Sequence, residues 1–82
     1  LDLAQDMHLK AEEVLHTLNE DSSKVPVKRK VFFKKRSLLA WETVFAYKGR
    51  LYWRKNEDGG IEVLAIGTKN TQQRDLNYLE SL

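Results

Sequence analysis

The chain has 82 residues, 41% of them hydrophobic and 10% aromatic, which suits one small folded domain rather than a disordered tail. It contains no cysteine, which excludes a disulfide framework and a cysteine-based zinc site and fits a reducing, cytoplasmic compartment. Its purely apolar runs are far too short to span a membrane, so we expect no membrane partner. The chain begins at Leu1 rather than Met, which leaves room for a processed N-terminus and a missing element.

The net charge of +2 hides an uneven distribution along the chain. Residues 1–23 carry six acids and one base, residues 24–55 carry eleven bases and one acid, and residues 56–82 carry five acids and two bases. A middle block of about +10 is typical of a surface that binds a polyanion, most simply nucleic acid. The alternative is an ordinary sheet whose edge lysines block aggregation.

Residues 2–20 are predicted to form an amphipathic helix. Asp2 followed three residues later by Gln5 matches a capping box. His8, Glu12 and His16 lie four residues apart, a spacing that can bind a metal, but we interpret them as solvent-facing and expect no metal and no cofactor. The apolar residues recur at intervals of three and four and are predicted to face a core: Leu3, Met7, Ala11, Val14, Leu15 and Leu18.

Residues 27–36 form the most basic segment of the chain, with six bases in ten residues. Pro26 stops a preceding helix, so we predict an edge strand or an extended arm, with the apolar anchor Val31-Phe32-Phe33 as its structural part. The bases are expected to contact nucleic-acid phosphates, which gives affinity without sequence choice; a localisation signal is the weaker alternative. These bases are Lys28, Arg29, Lys30, Lys34, Lys35 and Arg36.

Residues 39–70 organise the rest of the chain and are predicted to form three strands. The first two are Leu39–Ala46 and Arg50–Asn56, joined by a turn in which Gly49 takes a left-handed conformation. That turn would pair Phe45 with Leu51, Thr43 with Trp53 and Trp41 with Lys55. One face then carries Trp41, Phe45, Leu51 and Trp53, with the tryptophans in the core, and the opposite face carries Glu42, Val44, Arg50, Tyr52 and Arg54.

After a second turn at residues 56–60, Ile61–Ile66 is predicted to be an apolar central strand. Asn70 and Gln73 match a second capping box, and residues 71–81 are predicted to form a short helix. Its inward pair is Leu76 and Leu79, joined by Leu82 or Tyr78. Lys69 and Arg74 lie where the strand gives way to this helix, a place that favours an anion, although plain capping explains the same residues. We therefore expect one α+β domain over residues 1–82, with an N-terminal helix, an antiparallel sheet of three to four strands and a short C-terminal helix.

The last predicted strand and the start of the helix after it resemble a known family. Residues 60–76, from Gly60-Ile61 to Asp75-Leu76, resemble the end of HigB-like toxins, in which an apolar strand leads into a Lys-Thr-Gln-like run and a terminal helix. Arg50-Leu51-Tyr52-Trp53-Arg54 resembles the strand of RelE/ParE toxins that presents an arginine beside an aromatic residue. The resemblance covers about residues 39–79. The family also opens with a strand and a two-helix hairpin, where this chain shows one helix.

The resemblance implies a bacterial toxin of a type II toxin–antitoxin pair. Such a toxin has a cognate acidic antitoxin protein as partner and is often an mRNA endonuclease that acts at the ribosome and inhibits translation. The ParE branch instead inhibits DNA gyrase and cleaves nothing. Some members use a histidine as acid or base, and the sheet half of this chain has none.

Cleavage of RNA by its own 2′-OH needs a base, an acid for the 5′-oxygen, and cations that stabilise the phosphorane-like charge. In this interpretation Arg54 would stabilise the phosphate beside Arg50, and Glu42, opposite Arg54 in the predicted register, would be the base. A cross-strand ion pair between Glu42 and Arg54, with Glu62 as a third member, explains the same charges without catalysis. The candidate catalytic residues are Arg54, Glu42 and Lys69, with Arg74 in the cationic rim and Tyr52 stacking a base.

Two other function classes remain open. A non-catalytic module would bind nucleic acid through the same basic sheet. A protein-interaction domain would use its basic face to meet an acidic partner.

Overall fold

The computed structural model of the protein describes residues 3–81, with side chains described from Gln5 onward. The elements are α1 (Leu3–Glu20), β1 (Arg29–Phe33), β2 (Leu38–Phe45), β3 (Gly49–Lys55), β4 (Ile61–Thr68) and α2 (Gln72–Ser81). Short 3-10 turns occur at Ser22–Lys24, Lys34–Arg36 and Lys69–Thr71. The predicted α+β class is confirmed, and the Asp2 capping box lies outside the described residues. Between residues 3 and 81, no helix is long and apolar enough to cross a membrane.

The four strands form one antiparallel sheet in the order β1-β2-β3-β4. The basic strand β1 lies at an edge, as predicted. The prediction that the apolar strand β4 is central is wrong, because the chain turns back from β3 into β4 and then leaves the sheet into α2. No described strand pairs with the outer side of β4, and Val63 and Ile66 stay 43% and 44% exposed.

The register between β2 and β3 differs by two residues from the predicted one. Phe45 pairs with Gly49 and Trp41 with Trp53. Because side chains alternate with a period of two, a shift of two residues leaves each side chain on its predicted face. The cause lies in the turn, where Ala46 and Tyr47 take left-handed φ angles of 46° and 68° while Gly49 belongs to the strand. Gly49 is needed for space instead, since a Cβ there would collide with the Phe45 ring.

The two helices cover opposite faces of the sheet. Leu18 of α1 packs with Val25, Leu51 and Trp53, and the partly buried Val14, Leu15, Trp41, Phe45 and Ile61 pack against this cluster. Leu79 of α2 packs on the other face with Phe33, Leu38, Ala40 and Tyr52, joined by Leu76. The predicted inward positions are confirmed for Val14, Leu15 and Leu18 of α1 and for Leu76 and Leu79 of α2. Met7 and Ala11 are half-buried and belong to neither cluster, and Tyr78 is 58% exposed, so its predicted inward position is wrong. The side chains of Leu3 and Leu82 lie outside the described residues. Trp53 is 1% exposed and meets Trp41 edge to face at 4.7 Å between ring centroids.

A short chain of hydrogen bonds joins the segment before β1 to the sheet. Trp53 Nε1 donates to Thr43 Oγ1 at 2.9 Å, and Thr43 Oγ1 donates to the Pro26 carbonyl at 2.8 Å. The Lys28 amide donates to the Glu42 carbonyl at 2.7 Å. These bonds fix where the basic strand starts and which side chains it presents on each face.

Candidate nucleic-acid interface

Arg50 carries a guanidinium that is buried without a carboxylate partner. The residue is 5% exposed, its Nη1 donates to the Gly49 carbonyl at 2.9 Å, and its Nε has no hydrogen-bond partner. Within the described part of the chain, no acidic oxygen lies within 4.0 Å of it. Because burial of a charge without a paired counter-charge is unfavourable, Arg50 is a candidate ligand for an anion.

Arg50 lines a polar cleft of about 340 Å³. The other lining residues are Tyr47, Lys48, Lys69 and Asn70. The two lysines are exposed, so the cleft brings three cations to one place, and none of its described lining residues is acidic. It brings the Arg50 guanidinium together with the ammonium groups of two exposed lysines, an arrangement that suits a phosphate.

The turn that supplies Tyr47 and Lys48 is held in an uncommon conformation. Left-handed φ at the non-glycine residues Ala46 and Tyr47 costs about 1–2 kcal/mol each, so the surrounding structure must enforce it. The Lys69 amide donates to the Lys48 carbonyl at 2.7 Å, which ties the turn to the junction between β4 and α2. Both walls of the cleft are therefore fixed to each other by backbone.

The junction at the end of β4 is capped differently from the prediction. The capping box uses Thr68 and Thr71 rather than Asn70 and Gln73, because the chain first makes a 3-10 turn at Lys69–Thr71. Thr71 Oγ1 donates to Asp75 Oδ2 at 2.8 Å, and a Cβ at Gly67 would collide with that carboxylate. Since Gly67 is the cross-strand partner of Arg50, Asp75 lies on the same side of the sheet as the cleft. Sequence reasoning assigned no role to Asp75.

Glu42 lies in a buried network and not beside Arg54. It is 0% exposed and accepts from Arg29 at 2.9 Å (Nε to Oε1) and 3.2 Å (Nη2 to Oε2). Gln72 Nε2 donates to Glu42 Oε2 at 2.7 Å, which ties α2 to the sheet. The expectation that Glu42 faces Arg54 is wrong, since its cross-strand partners are Arg29 and Tyr52.

The ionisation of this network does not suit a general base. Burial alone would raise the pKa of Glu42, but the Arg29 guanidinium, the neighbouring Tyr52 hydroxyl and the Gln72 amide together hold that pKa below its usual value. The interaction with Glu42 correspondingly raises the pKa of Arg29. Glu42 is thus a sealed, ionised carboxylate, and in this conformation no substrate hydroxyl can reach it.

Tyr52 is completely buried, so the expectation that it stacks a base is wrong. Its hydroxyl lies near Glu42 and Gln72 but has no hydrogen-bond partner of good geometry. Burial, followed by the effect of the Glu42 carboxylate, raises the pKa of Tyr52 to about 12.

The four cations that the sequence analysis proposed for the RNA site, Arg50, Arg54, Lys69 and Arg74, do not all lie together. Arg54 lies four residues along β3 from Arg50, roughly 13 Å away, and its Nε donates to Glu62 Oε1 at 2.5 Å. Arg74 is exposed on α2, with its Nε 3.7 Å from Asp75 Oδ1. Only Arg50 and Lys69 of the four come together, because β3 and the β4–α2 junction meet at the cleft.

The six bases of the basic segment, residues 27–36, comprise one that forms an ion pair with a described residue and five that are exposed without one. Arg29 binds Glu42, although half of its side chain remains exposed. The exposed bases of this segment are Lys28, Lys30, Lys34, Lys35 and Arg36. The apolar anchor is divided as well, since Val31 and Phe33 pack into the α2 side of the sheet while Phe32 is 57% exposed.

Compared with protein-family models, curated proteins and solved structures, the chain matches none at a significant level.

Proposed function

We propose that this protein is the RNA-binding toxin of a type II toxin–antitoxin pair, that it cuts mRNA at the ribosome, and that the Arg50 cleft receives the RNA phosphate. The observation that supports this most is the guanidinium of Arg50, buried without a carboxylate in a cleft with two lysines. A phosphate there would supply the missing counter-charge. The exposed bases of residues 28–36 would add sequence-independent phosphate contacts.

For cleavage, the cleft would act mainly through electrostatics. Arg50, Lys48 and Lys69 would hold the scissile phosphate and stabilise the negative charge that grows as the 2′-OH attacks and the 5′-oxygen leaves. Since no carboxylate is among the described residues that line the cleft, the 2′-OH proton would pass to water, and water would protonate the departing 5′-oxygen. This assignment transfers the phosphate-stabilising role from Arg54 to Arg50.

The second candidate is a non-catalytic nucleic-acid-binding module. Both histidines of the chain lie on α1, and the described cleft lining contains neither a histidine nor a carboxylate. A cleft with cations alone can bind phosphate without cutting it. The two candidates share the phosphate site and differ only in whether a bond is broken.

The test is induction of the chain in bacterial cells, followed by mapping of mRNA ends. The toxin proposal expects growth arrest and mRNA cut within codons, with 5′-hydroxyl ends because the 2′-OH displaces the 5′-oxygen. Arg50→Ala should lower the cleavage rate by about a hundredfold to a thousandfold, as for loss of one preorganised charge stabiliser. Lys24→Ala, which removes an exposed base from the 3-10 turn at Ser22–Lys24, is the control and should cut like the parent.

The remaining outcomes separate the alternatives. Growth arrest with intact mRNA and a gyrase-dependent DNA-damage response would favour the ParE-like activity. Harmless expression of the folded chain, combined with salt-dependent RNA binding that Arg50→Ala weakens, would leave the non-catalytic module. Absence of binding to RNA and to DNA at low salt would contradict both.

A further inference from the structure

Phe32 is an exposed aromatic side chain at the β1 edge of the sheet, on the same face as α1 but outside the cluster that α1 buries. It is 57% exposed, and its cross-strand partner Leu39 is 47% exposed. Because side chains alternate along a strand, Phe32 points to the face opposite Val31 and Phe33, which pack toward α2. Neither Phe32 nor Leu39 belongs to a core cluster, so packing within the described chain does not account for an aromatic residue here.

The surroundings of Phe32 are cationic. Lys30 shares its face two residues earlier, and Lys34 and Lys35 follow it closely in the chain. Lys30 pairs across the ladder with the half-buried Trp41, whose ring has Lys55 Nζ 5.8 Å from its centroid. The one acidic residue of β2, Glu42, is buried on the opposite face. The surface around Phe32, with Lys30, Lys34 and Lys35, therefore combines an aromatic ring with several positive charges. None of its described residues carries an exposed negative charge.

We propose that Phe32 stacks an unpaired base of single-stranded nucleic acid while Lys30, Lys34 and Lys35 contact the flanking phosphates. This inference rests on the proposed nucleic-acid function and narrows its substrate to single strands. Flat aromatic side chains beside a cationic track bind single strands because every base has a face to stack and every nucleotide carries a phosphate. In a duplex the bases are already stacked on each other, so Phe32 would have nothing to contact.

The chain contains a control of equal exposure. Tyr78 on α2 is 58% exposed, close to the 57% of Phe32, but its helix carries Asp75 and Glu80 and only one base, Arg74. If exposure of an aromatic ring alone gave affinity, the two residues would contribute equally. If stacking beside a cationic track gives affinity, only Phe32 would contribute.

The experiment measures binding of a short oligouridylate, an RNA duplex and inorganic polyphosphate by fluorescence anisotropy over a range of salt concentrations. Phe32→Ala should weaken binding of the single strand by about tenfold, within the range for loss of one stacked base. The slope of log affinity against log salt should stay unchanged, because no charge is removed. Binding of polyphosphate, which has no bases, and of the duplex should not change. Tyr78→Ala should bind all three probes like the parent.

Two further variants separate stacking from simple apolar contact. Phe32→Tyr keeps an aromatic face and should retain parental affinity for the single strand. Phe32→Leu keeps an apolar side chain but has no ring, so it should bind as weakly as Phe32→Ala. The melting temperature of each variant confirms folding, and little change is expected at so exposed a position.

Several results would overturn the proposal. Parental affinity of Phe32→Leu or Phe32→Ala for the single strand, with the salt slope of the parent intact, would show that RNA binds elsewhere and would leave the phosphate cleft standing. An equal loss for oligouridylate and polyphosphate would show a charge or folding effect. If the parent itself binds no probe at low salt, both this inference and the proposed function fail.

Discussion

Arg29 and Arg50 show how one side-chain type takes two different roles on the same side of one sheet. Arg29 lies at the edge, half exposed, and forms a two-pronged ion pair with the buried carboxylate of Glu42. Arg50 is almost fully buried and its guanidinium has no carboxylate within ion-pair distance among the described residues. Both were expected from the sequence to contact phosphates. The comparison shows that the presence of a fixed counter-charge, rather than charge or burial alone, distinguishes a structural cation from a candidate ligand-binding one.

The largest loss of stability is expected from replacing Arg29, the ion-pair partner of the buried Glu42. Arg29→Met keeps an apolar stem but leaves the Glu42 carboxylate buried with only Gln72 as a strong donor. Breaking a buried ion pair from one side costs about 3–5 kcal/mol, so we expect the free energy of unfolding to fall by at least about 3 kcal/mol. Urea denaturation at neutral pH measures it. Lys30→Met, the adjacent exposed base, is the control and should change stability by less than about 0.5 kcal/mol.

The same variant should alter the response to acid. The pKa of Glu42 is lowered in the folded protein, so its contribution is fully present above the ordinary carboxyl pKa and is lost as pH falls through the lowered value. Removal of Arg29 should weaken that acid dependence. A variant as stable as the parent, with the same acid profile, would show that Gln72 and the backbone alone support Glu42.

The next largest effect is the dependence of stability on alkaline pH, which we attribute to the buried phenol of Tyr52. Because the folded pKa of Tyr52 is about 12 against an ordinary value of 10.0, the neutral phenol stabilises the fold below pH 10 and this contribution is lost as pH rises through 12. Two pKa units correspond to roughly 2–3 kcal/mol. Tyr52→Phe should abolish this alkaline loss, measured by denaturation at several pH values.

At neutral pH the same substitution should cost little. The Tyr52 hydroxyl has no hydrogen-bond partner of good geometry, so its removal deletes a buried polar group without orphaning another. A loss well above about 1 kcal/mol at neutral pH would reveal a hydrogen bond to Glu42 or Gln72 in solution.

A smaller change in stability is expected for Arg50, the arginine without a carboxylate partner. In a buffer without multivalent anions, Arg50→Met should be about as stable as the parent or up to about 1 kcal/mol more stable, because it removes an uncompensated buried charge. Inorganic phosphate at ten times its dissociation constant should stabilise the parent by about 1.4 kcal/mol and the variant not at all. Thermal melts with and without phosphate give both numbers. A large loss for Arg50→Met in anion-free buffer would make Arg50 a structural residue like Arg29.

The element types and faces could be predicted from the sequence because they depend on local periodicity. The stripe of α1, the Leu76–Leu79 pair and the shared face of Trp41, Phe45, Leu51 and Trp53 all reflect the spacing of apolar residues. The register could not be predicted in this way, since it depends on a turn in which Ala46 and Tyr47, rather than Gly49, take left-handed angles. Which arginine meets which carboxylate depends on that register, so the Glu42–Arg54 pair was predicted and the Arg29–Glu42 pair was not.

The cleft was predicted only in part for a related reason. Lys69 was expected to attract an anion because it precedes a helix, and Arg50 was expected on the outer face of its strand. That both line one cleft with Tyr47 and Lys48 depends on the 3-10 turn at Lys69–Thr71 and its backbone bond to Lys48, neither of which has a periodic signal. The exposure of Phe32 results from strict alternation along β1, in which Val31 and Phe33 face inward. It could not be predicted from the sequence, because all three residues of the run Val31-Phe32-Phe33 are apolar.

The smallest expected effect concerns the cross-strand ion pair between Arg54 and Glu62, in which both partners face solvent. These residues have 40% and 46% of their side chains exposed, so water and salt screen their attraction and each partner remains solvated without the other. Arg54→Ala should therefore lower the free energy of unfolding by no more than about 1 kcal/mol, far less than Arg29→Met. A double-mutant cycle with Glu62→Ala, repeated at high salt, isolates the coupling, which should shrink as salt rises. A salt-independent coupling as large as that of the Arg29–Glu42 pair would mean that burial of the carboxylate does not decide the strength of these pairs, and the distinction between Arg29 and Arg50 would lose its physical basis.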